Sequence, residues 1–298
     1  MNDEMNAAIT AVLKAGRAIM EIYAREFSVE EKEDRSPLTE ADTRAHGIIE
    51  TVLREATPEI PILSEEGAGV AVSQRQTWDR YWLVDPLDGT KEFIKKNDEF
   101  TVNIALMTAA PVSTEFNTVA TEAPVRPTAG VVYVPATGVL YVGVEGQGAW
   151  RVREGSAFST PGAGTIRLSD VMKHGEALPA VLDYADRPFT VVASRSHLSP
   201  ETEAYVSGLR RDHSDLEMVS AGSSLKICRV AEGSADEYPR FAPTMEWDTA
   251  AGDAVARAAG CQVLQWDPTA RNGQGAVAGD MVYNKDNLLN PWFLVRRR

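Results

Sequence analysis

Short apolar runs in the first half of the chain constrain its fold more than any other sequence feature. IPIL (60–63), YWLV (81–84) and FTVNIALM (100–107) are each bounded by turns or charges. Runs of this length are typical of buried strands, whereas helices in globular domains need at least about ten residues. The stretch GVVYVPATGVLYVGVEGQGAW (130–150) holds two more β-rich runs around a Pro-Ala-Thr-Gly turn, which predicts a hairpin.

Two helices are expected before the first strand. In the first, the residues of one face recur at spacings of three and four: Ile9, Leu13, Gly16, Met20 and Tyr23. The second helix is predicted from about Thr39 to Arg54. Between them, the polar stretch SVEEKEDRSPL (28–38) predicts an exposed loop or the rim of another feature of the molecule.

Strands and helices alternate in the second half of the chain, as is typical of an α/β fold. The predicted order is strand 190–194, helix 201–209, strand 216–220, helix 223–231, a short strand near Tyr238, helix 247–259 and strand 261–265. A stretch rich in Gly, Ser, Thr and Pro at 155–165 indicates a boundary between two domains, 1–160 and 161–298. A Pro-, Thr- and Ala-rich stretch at 109–128 is interpreted as a long excursion between two strands.

Composition restricts the function classes. The 298 residues include 30 basic and 43 acidic side chains, a formal net charge of −13, and such a surface repels nucleic-acid backbones. A phosphorylated small molecule is a compatible partner when a divalent cation neutralises the approach of the anion. No apolar run reaches the roughly 18 residues that span a bilayer, and the N-terminus lacks the basic and apolar regions of a secretory signal.

Two other features concern the compartment. Cys228 and Cys261 form no CxxC pair and are expected to be reduced thiols in the core, which favours the cytoplasm. The closing Arg296, Arg297 and Arg298 are interpreted as a solvated tail. Peripheral contact with the anionic cytoplasmic face of the inner membrane is the alternative for this tail.

The densest functional signal is LVDPLDGT (83–90). A buried strand ends in Asp85, turns at a proline and presents Asp88 three residues later. Two neighbouring carboxylates repel each other unless a proton or a cation lies between them, and Mg²⁺ prefers hard oxygen ligands of this kind. A turn with solvated acids is the alternative, but the apolar strand before the motif and the Gly-Thr after it favour metal binding.

Two further acidic motifs lie at the ends of predicted elements. SEEG (64–67) follows a strand, and at most one of its glutamates is expected to share a site with Asp85. EWDTAAG (246–252) opens a helix, where Asp248 is either an N-cap or a site residue. Acids at three element ends together predict a site for two or more metal ions.

The order of these motifs resembles a known family. DPLDGT followed by KEF, with SEE before and EWDTAAGDAV after, is similar to the inositol monophosphatase superfamily of metal-dependent, lithium-sensitive phosphatases. SPLTEAD (36–42), SRSH (194–197), GSSLK (222–226) and YPRFAPTMEWDTAAG (238–252) narrow the resemblance to the CysQ-type 3′(2′),5′-bisphosphate nucleotidases. The resemblance covers nearly the whole chain, and it implies a layered α-β-α-β-α sandwich of the inositol monophosphatase and sugar phosphatase type, in the α/β (α+β) class.

The resemblance also implies two Mg²⁺ positions and leaves a third ion open. Glu65, Asp85 and the backbone carbonyl of Leu87 would hold one ion. Asp85, Asp88 and Asp248 would hold the second.

Catalytic and substrate-binding residues follow from the same resemblance. Asp42 and Thr90 match the pair that activates the attacking water, although Asp42 taken alone is interpreted as an exposed acid in the first turn of a helix. The implied substrate-binding residues are Gly89, Thr90, His197, Ser223, Lys226, Arg240 and Asp248. Independently of the family, a strand end that opens a helix, as at GSSLK, offers backbone N–H groups to a phosphate, and arginine can bind phosphate through two parallel hydrogen bonds.

The chain departs from the family pattern in three places. The 109–128 excursion is longer than expected, and the segment 23–35 is unusually acidic. Asp253 occupies a position where histidine is common, which predicts variation at the surface.

We therefore expect an Mg²⁺-dependent phosphatase that converts adenosine 3′,5′-bisphosphate to AMP and phosphate, recycling a by-product of sulfur assimilation. 3′-Phosphoadenylyl sulfate is a second candidate substrate, and a homodimer stays open. The alternatives are an inositol or sugar monophosphatase and a catalytically silent phosphonucleotide sensor. Lys226 and Arg240 favour a second phosphate over a neutral polyol, and the complete set of acids argues against a silent sensor.

Overall fold

The computed structural model describes residues 1–31, 37–67, 69–109, 124–153, 166–181, 187–194, 199–273 and 275–298. The helices are α1 (Asn2–Tyr23), α2 (Glu40–Ala56), α3 (Val72–Arg75), α4 (Thr90–Ile94), α5 (Leu168–His174), α6 (Pro200–Leu209), α7 (Leu225–Ala231), α8 (Glu246–Ala258) and α9 (Ala270–Gly273). The strands are β1 (Val29–Glu31), β2 (Pro37–Thr39), β3 (Ile62–Ser64), β4 (Arg80–Asp88), β5 (Thr101–Ala109), β6 (Val125–Val134), β7 (Val139–Val144), β8 (Gly148–Arg153), β9 (Glu176–Ala177), β10 (Thr190–Ser194), β11 (Glu217–Ala221), β12 (Glu237–Arg240), β13 (Gln262–Asp267), β14 (Ala276–Asp280) and β15 (Phe293–Arg296).

These elements stack in five layers. A seven-stranded sheet has the order β3-β4-β5-β6-β7-β8-β9 and is antiparallel except for its β3–β4 pair, and a mixed six-stranded sheet has the order β11-β10-β12-β15-β13-β14. Helices α1 and α2 pack on one face of the first sheet, α7 and α8 lie between the sheets, and α6 covers the outer face of the second. The predicted α-β-α-β-α sandwich is confirmed.

Strands β4 to β7 of the first sheet are buried on both faces, which explains their continuous apolar sequence. In β4, Trp82 and Val84 belong to the core beneath α1 and α2. Tyr81 and Leu83 belong to the core that faces α7 and α8. Because successive side chains of a strand point to opposite faces, a strand covered on both sides needs apolar residues at nearly every position.

Helix α8 approaches the first sheet closely because the sheet carries glycine where the helix crosses it. A Cβ on Gly130 would lie 2.4 Å from the carbonyl oxygen of Ala251, and a Cβ on Gly143 would lie 2.5 Å from the Cα of Val255. Any larger side chain at either glycine would push the helix outwards. The close packing brings the first turn of α8 to the end of β4.

Most predicted elements are present with shifted ends. The second helix begins at Glu40, with Thr39 as its N-cap. The hairpin predicted at 130–150 is formed by β6 and β7, and the last residues of that range start a third strand, β8. Cys228 and Cys261 are buried free thiols, as predicted.

Two other predictions fall largely on residues that the structure does not describe. The excursion predicted at 109–128 is shorter, because β5 extends to Ala109 and β6 starts at Val125. The intervening 110–123 lies outside the described residues, as does the predicted domain boundary at 160, so the two-domain division stays a prediction. No helix in the described ranges is long and apolar enough to cross a bilayer.

Some interpretations were wrong. The described ends of the stretch 28–38 form the antiparallel pair β1–β2 and not a loop, whereas the alternative of a rim agrees with Pro37, which lines a cavity. Asp253 is fully buried and accepts hydrogen bonds from Tyr283 Oη at 2.7 Å and Arg257 Nε at 2.5 Å, so it is no surface variation.

The C-terminal arginines require a further correction. Arg296 ends β15, which lies between β12 and β13 in the second sheet, and its Nε donates to Gln262. Arg297 forms an ion pair with Asp236. Two of the three arginines thus belong to the folded structure, which removes the basis for a basic tail on a membrane.

Candidate active site

Acidic side chains from β4 and α8 converge at the border of one cavity. Asp85 and Asp88 lie near the end of β4, and Asp248 lies in the first turn of α8. Carboxylate oxygens of these three residues all lie within 4.8 Å of one another. The cavity has a volume of about 380 Å³, and Glu65 and Leu87 also line it.

Burial and mutual repulsion raise the pKa of two of these acids. The pKa of Asp85, which is 1% exposed, is well above its ordinary value because of burial and then the charges of Glu65, Asp88 and Asp248. Burial and the charge of Asp88 raise the pKa of Asp248 in the same way. Ionised carboxylates at this spacing are unfavourable unless a cation lies among them. The described lining offers carboxylate oxygens without His or Cys, a donor set that fits Mg²⁺.

Asp88 is oriented by donors from Ser224, the N-cap residue of α7, and from β5. Its Oδ2 accepts a hydrogen bond from the backbone N–H of Ser224 at 2.6 Å and lies 2.8 Å from the Ser224 hydroxyl. Asn103 Nδ2 lies 3.4 Å from the same oxygen and donates to Ser224 Oγ at 2.9 Å. Sequence reasoning missed both residues, although Ser224 lies inside the GSSLK motif and Asn103 is the polar interruption of an apolar strand.

Asp42 and Thr90 form a hydrogen-bonded pair beside this cluster. Thr90 Oγ1 lies 3.2 Å from Asp42 Oδ1 and 3.4 Å from the carbonyl oxygen of Leu87. The other oxygen of Asp42 accepts from the N–H and the hydroxyl of Thr39, at 2.8 and 2.6 Å. Asp42 is 2% exposed and burial raises its pKa, so its interpretation as an exposed acid was wrong. Thr90 lines the cavity and Asp42 lies behind it.

Cationic and polar groups line the same cavity. Lys226 is buried, donates to the carbonyl oxygen of Ser223 at 2.7 Å and lies 5.6 Å from the centre of the Tyr238 ring. Burial lowers the pKa of Lys226 to about 8. Arg240 donates to the carbonyl oxygen of Pro243 at 3.0 Å, but its buried Nε and the buried hydroxyl of Ser223 have no hydrogen-bond partner among the described residues. Unpartnered donors beside a lysine suit an anion.

The cavity brings together nearly all the metal- and substrate-binding residues predicted from the sequence. The residues that line it are Glu65, Asp85, Leu87, Asp88, Gly89, Thr90, Ser223, Lys226, Arg240 and Asp248. His197 lies outside the described residues, so its place in the site stays a prediction. Gly89 has a φ of +90°, a conformation that favours glycine, at the turn from β4 into α4. Tyr238, which sequence reasoning used only to place a strand, also lines the cavity.

Known proteins share this sequence and this fold. The chain is 46% identical over 255 residues to the 3′(2′),5′-bisphosphate nucleotidase CysQ of Escherichia coli O157:H7, covering 85% of this chain and 86% of the relative. It is 45% identical over 284 residues to the protein of the same name from Salmonella typhimurium, covering 94% of each. The solved structure of CysQ from Bacteroides thetaiotaomicron, 47% identical, superposes with a TM-score of 0.78 over 98% of this chain and 96% of that one. The model of the inositol monophosphatase family matches residues 1–291, and the chain belongs to that family.

Proposed function

We propose that this chain is an Mg²⁺-dependent phosphatase that hydrolyses the 3′-phosphate of adenosine 3′,5′-bisphosphate to give AMP and phosphate. The observation that carries the proposal is one cavity that holds both the acidic cluster of Asp85, Asp88 and Asp248 and the cationic pair of Lys226 and Arg240. The acidic cluster suits cations that would bind the reacting phosphate, and the cationic pair suits a second phosphate. The relatives named 3′(2′),5′-bisphosphate nucleotidase support this assignment.

The acids would hold the metal ions in two sets. Glu65, Asp85 and the carbonyl oxygen of Leu87 would hold one Mg²⁺, and Asp85, Asp88 and Asp248 would hold another. When bound, such ions would neutralise the phosphate oxygens and lower the pKa of a water molecule. The raised pKa values of Asp85 and Asp248 support this view, because burial and the neighbouring acids make their ionised forms unfavourable in the protein alone.

Thr90 and Asp42 would orient the attacking water and accept its proton. The Thr90 hydroxyl lines the cavity and donates to Asp42 Oδ1 at 3.2 Å. A water that donates to Thr90 Oγ1 therefore has a proton path to a buried carboxylate. Thr39 holds Asp42 Oδ2 through its N–H and hydroxyl groups, which leaves Oδ1 directed at Thr90.

Lys226, Arg240 and Ser223 would bind the phosphate that is not cleaved. The unpartnered Nε of Arg240 and the hydroxyl of Ser223 would gain an acceptor in a 5′-phosphate. 3′-Phosphoadenylyl sulfate carries the same 3′-phosphate and an anionic 5′ group, so we propose it as a second substrate, with adenylyl sulfate as the product. The recycling role, the cytoplasmic location and the homodimer stay predictions.

Phosphate release from a substrate panel tests the proposal. The panel contains adenosine 3′,5′-bisphosphate, 3′-phosphoadenylyl sulfate, inositol 1-phosphate and fructose 1,6-bisphosphate, each with Mg²⁺ and with chelator, and Asp88→Asn sets the background. We expect the highest kcat/KM for the nucleotides and no release with chelator. A higher kcat/KM for inositol 1-phosphate would favour the monophosphatase alternative. Failure to release phosphate from any substrate would favour the silent sensor.

A further inference from the structure

Ser224 connects the two elements that carry the acidic cluster. Its side chain is 3% exposed, and its Oγ lies 2.8 Å from Asp88 Oδ2 in β4 and 2.5 Å from the backbone carbonyl oxygen of Asp248 in α8. We propose that Ser224 is a positioning residue that fixes Asp88 against the first turn of α8 and thereby sets the affinity of the cluster for a divalent cation. This inference rests on the proposed function in one respect, that Asp88 and Asp248 bind a cation.

The hydrogen-bond network restricts how Ser224 can act. Asn103, which is 1% exposed, donates to Ser224 Oγ at 2.9 Å, so the single hydroxyl proton of Ser224 points towards Asp88 or Asp248. The backbone N–H of Ser224 independently donates to Asp88 Oδ2 at 2.6 Å. Asp88 Oδ2 is thus engaged by the protein, and Oδ1 is the oxygen available to a cation. Partners of this kind orient a metal ligand.

The backbone before Ser224 is held in a conformation that aims its N–H at Asp88. Ser223 has a φ of +44°, in the left-handed region that is unfavourable for a residue with a side chain. Gly222 packs so tightly that a Cβ there would lie 2.5 Å from the carbonyl oxygen of Glu99. A strained turn persists where the surrounding structure fixes it, and here it faces a proposed cation ligand.

The test measures cation binding in Ser224→Ala, with Thr57→Val as the matched control. Thr57 is also 3% exposed, and its hydroxyl donates to the carbonyl oxygen of Leu53 at 2.8 Å and accepts from Trp82 Nε1 at 3.0 Å, outside the cavity lining. Loss of such a partner of a metal ligand weakens metal affinity about 10- to 100-fold. We expect Ser224→Ala to raise the Kd for Mn²⁺, measured by calorimetry, and the Mg²⁺ concentration needed for a given rise in Tm, both by that factor. Thr57→Val should lower the Tm of the metal-free protein and leave the Kd unchanged.

The outcomes distinguish a failure of the positioning role of Ser224 from a failure of the proposed function. A wild-type Kd in Ser224→Ala would overturn the positioning role while the proposed function stands. If the wild-type protein binds neither Mn²⁺ nor Mg²⁺, both the positioning role of Ser224 and the proposed metal-dependent function are refuted. Should Ser224→Ala not fold, Asn103→Ser removes the amide that donates to Ser224 Oγ; a raised Kd in that variant supports the inference, and an unchanged Kd overturns it.

Discussion

Replacing Lys226 by methionine should stabilise the metal-free protein and impair nucleotide turnover at the same time. Burial lowers the pKa of Lys226 from 10.5 to about 8, so protonated Lys226 is less favourable in the folded than in the unfolded chain. At 1.36 kcal/mol per pKa unit, this difference disfavours folding by about 3 kcal/mol at pH 7. Methionine removes the charge and keeps an unbranched side chain against Tyr238.

The loss of the hydrogen bond between Lys226 and Ser223 opposes this stabilisation. The carbonyl oxygen of Ser223 accepts from Lys226 Nζ at 2.7 Å and would lose this donor. An unsatisfied buried acceptor costs about 1–3 kcal/mol. We therefore expect Lys226→Met to increase the free energy of unfolding by roughly 0 to 2 kcal/mol at pH 7, measured by urea unfolding without metal.

The pH dependence of this difference has a definite sign. Because the pKa of Lys226 is lower in the folded chain, its unfavourable contribution is complete below about pH 8 and is lost as the pH rises to 10.5, where the unfolded chain also loses the proton. The stability difference between Lys226→Met and wild type should therefore shrink between pH 8 and 10.5. The exposed Lys95, just after α4, provides the control Lys95→Met, which should show no such trend.

The second part of the prediction is that Lys226→Met impairs nucleotide turnover. A hydrogen bond from Lys226 to a phosphate is worth about 1.5–3 kcal/mol, or roughly 10- to 100-fold in kcat/KM. Lys226→Met should lower kcat/KM for adenosine 3′,5′-bisphosphate by that factor and barely change hydrolysis of a monoester without a second phosphate. A variant that is less stable than wild type and loses both substrates equally would refute the reasoning, because Lys226 would then serve the fold.

Three other substitutions or additions test the site. Asp88→Asn should leave the protein folded yet lower kcat by several orders of magnitude, and near-normal turnover at saturating Mg²⁺ would exclude Asp88 as a metal ligand. Arg240→Ala should lower kcat/KM for adenosine 3′,5′-bisphosphate about 10- to 100-fold, mainly through KM, while a simple monoester is unaffected; equal losses would assign Arg240 to the reacting phosphate or to the fold. Millimolar Li⁺ should inhibit when Mg²⁺ is limiting, as the family resemblance implies, and indifference to Li⁺ would contradict the arrangement of Asp85, Asp88 and Asp248.

The strands of the first sheet were predictable because burial on both faces leaves an unbroken apolar signal. Strand β15 was not, because the arginines that follow Phe293–Val295 hide a short apolar run. In the structure the apolar residues of β15 are buried between β12 and β13, while the arginine side chains reach Gln262 and Asp236 near the edge of the core. In a sequence, an arginine counts only as one charged residue. The sequence does not show that its apolar methylene groups pack beside the core while its guanidinium group stays at the edge.

Within the site, acids at element ends were predictable and their partners were not. Asp85 and Asp88 stand out because a carboxylate after an apolar strand is unusual. The contact of Ser224 with Asp88 joins two distant segments, so a single sequence does not indicate which serine of GSSLK faces the acid. Asp253 was misjudged for the same reason, since its partner Tyr283 lies in the connection between β14 and β15.

The packing of α8 against the first sheet also determines when the proposed cation position of Asp85, Asp88 and Asp248 can be complete. Ribosomes synthesise a chain from its N-terminus, so early segments fold before later segments have emerged. The two aspartates of β4 emerge long before Asp248, which lies beside them because α8 packs against Gly130 and Gly143. A nascent chain therefore carries an incomplete set of ligands for most of its synthesis. The proposed cation position of Asp85, Asp88 and Asp248 would therefore be completed last, and a chain that terminates before α8 would lack it however well its first sheet had formed.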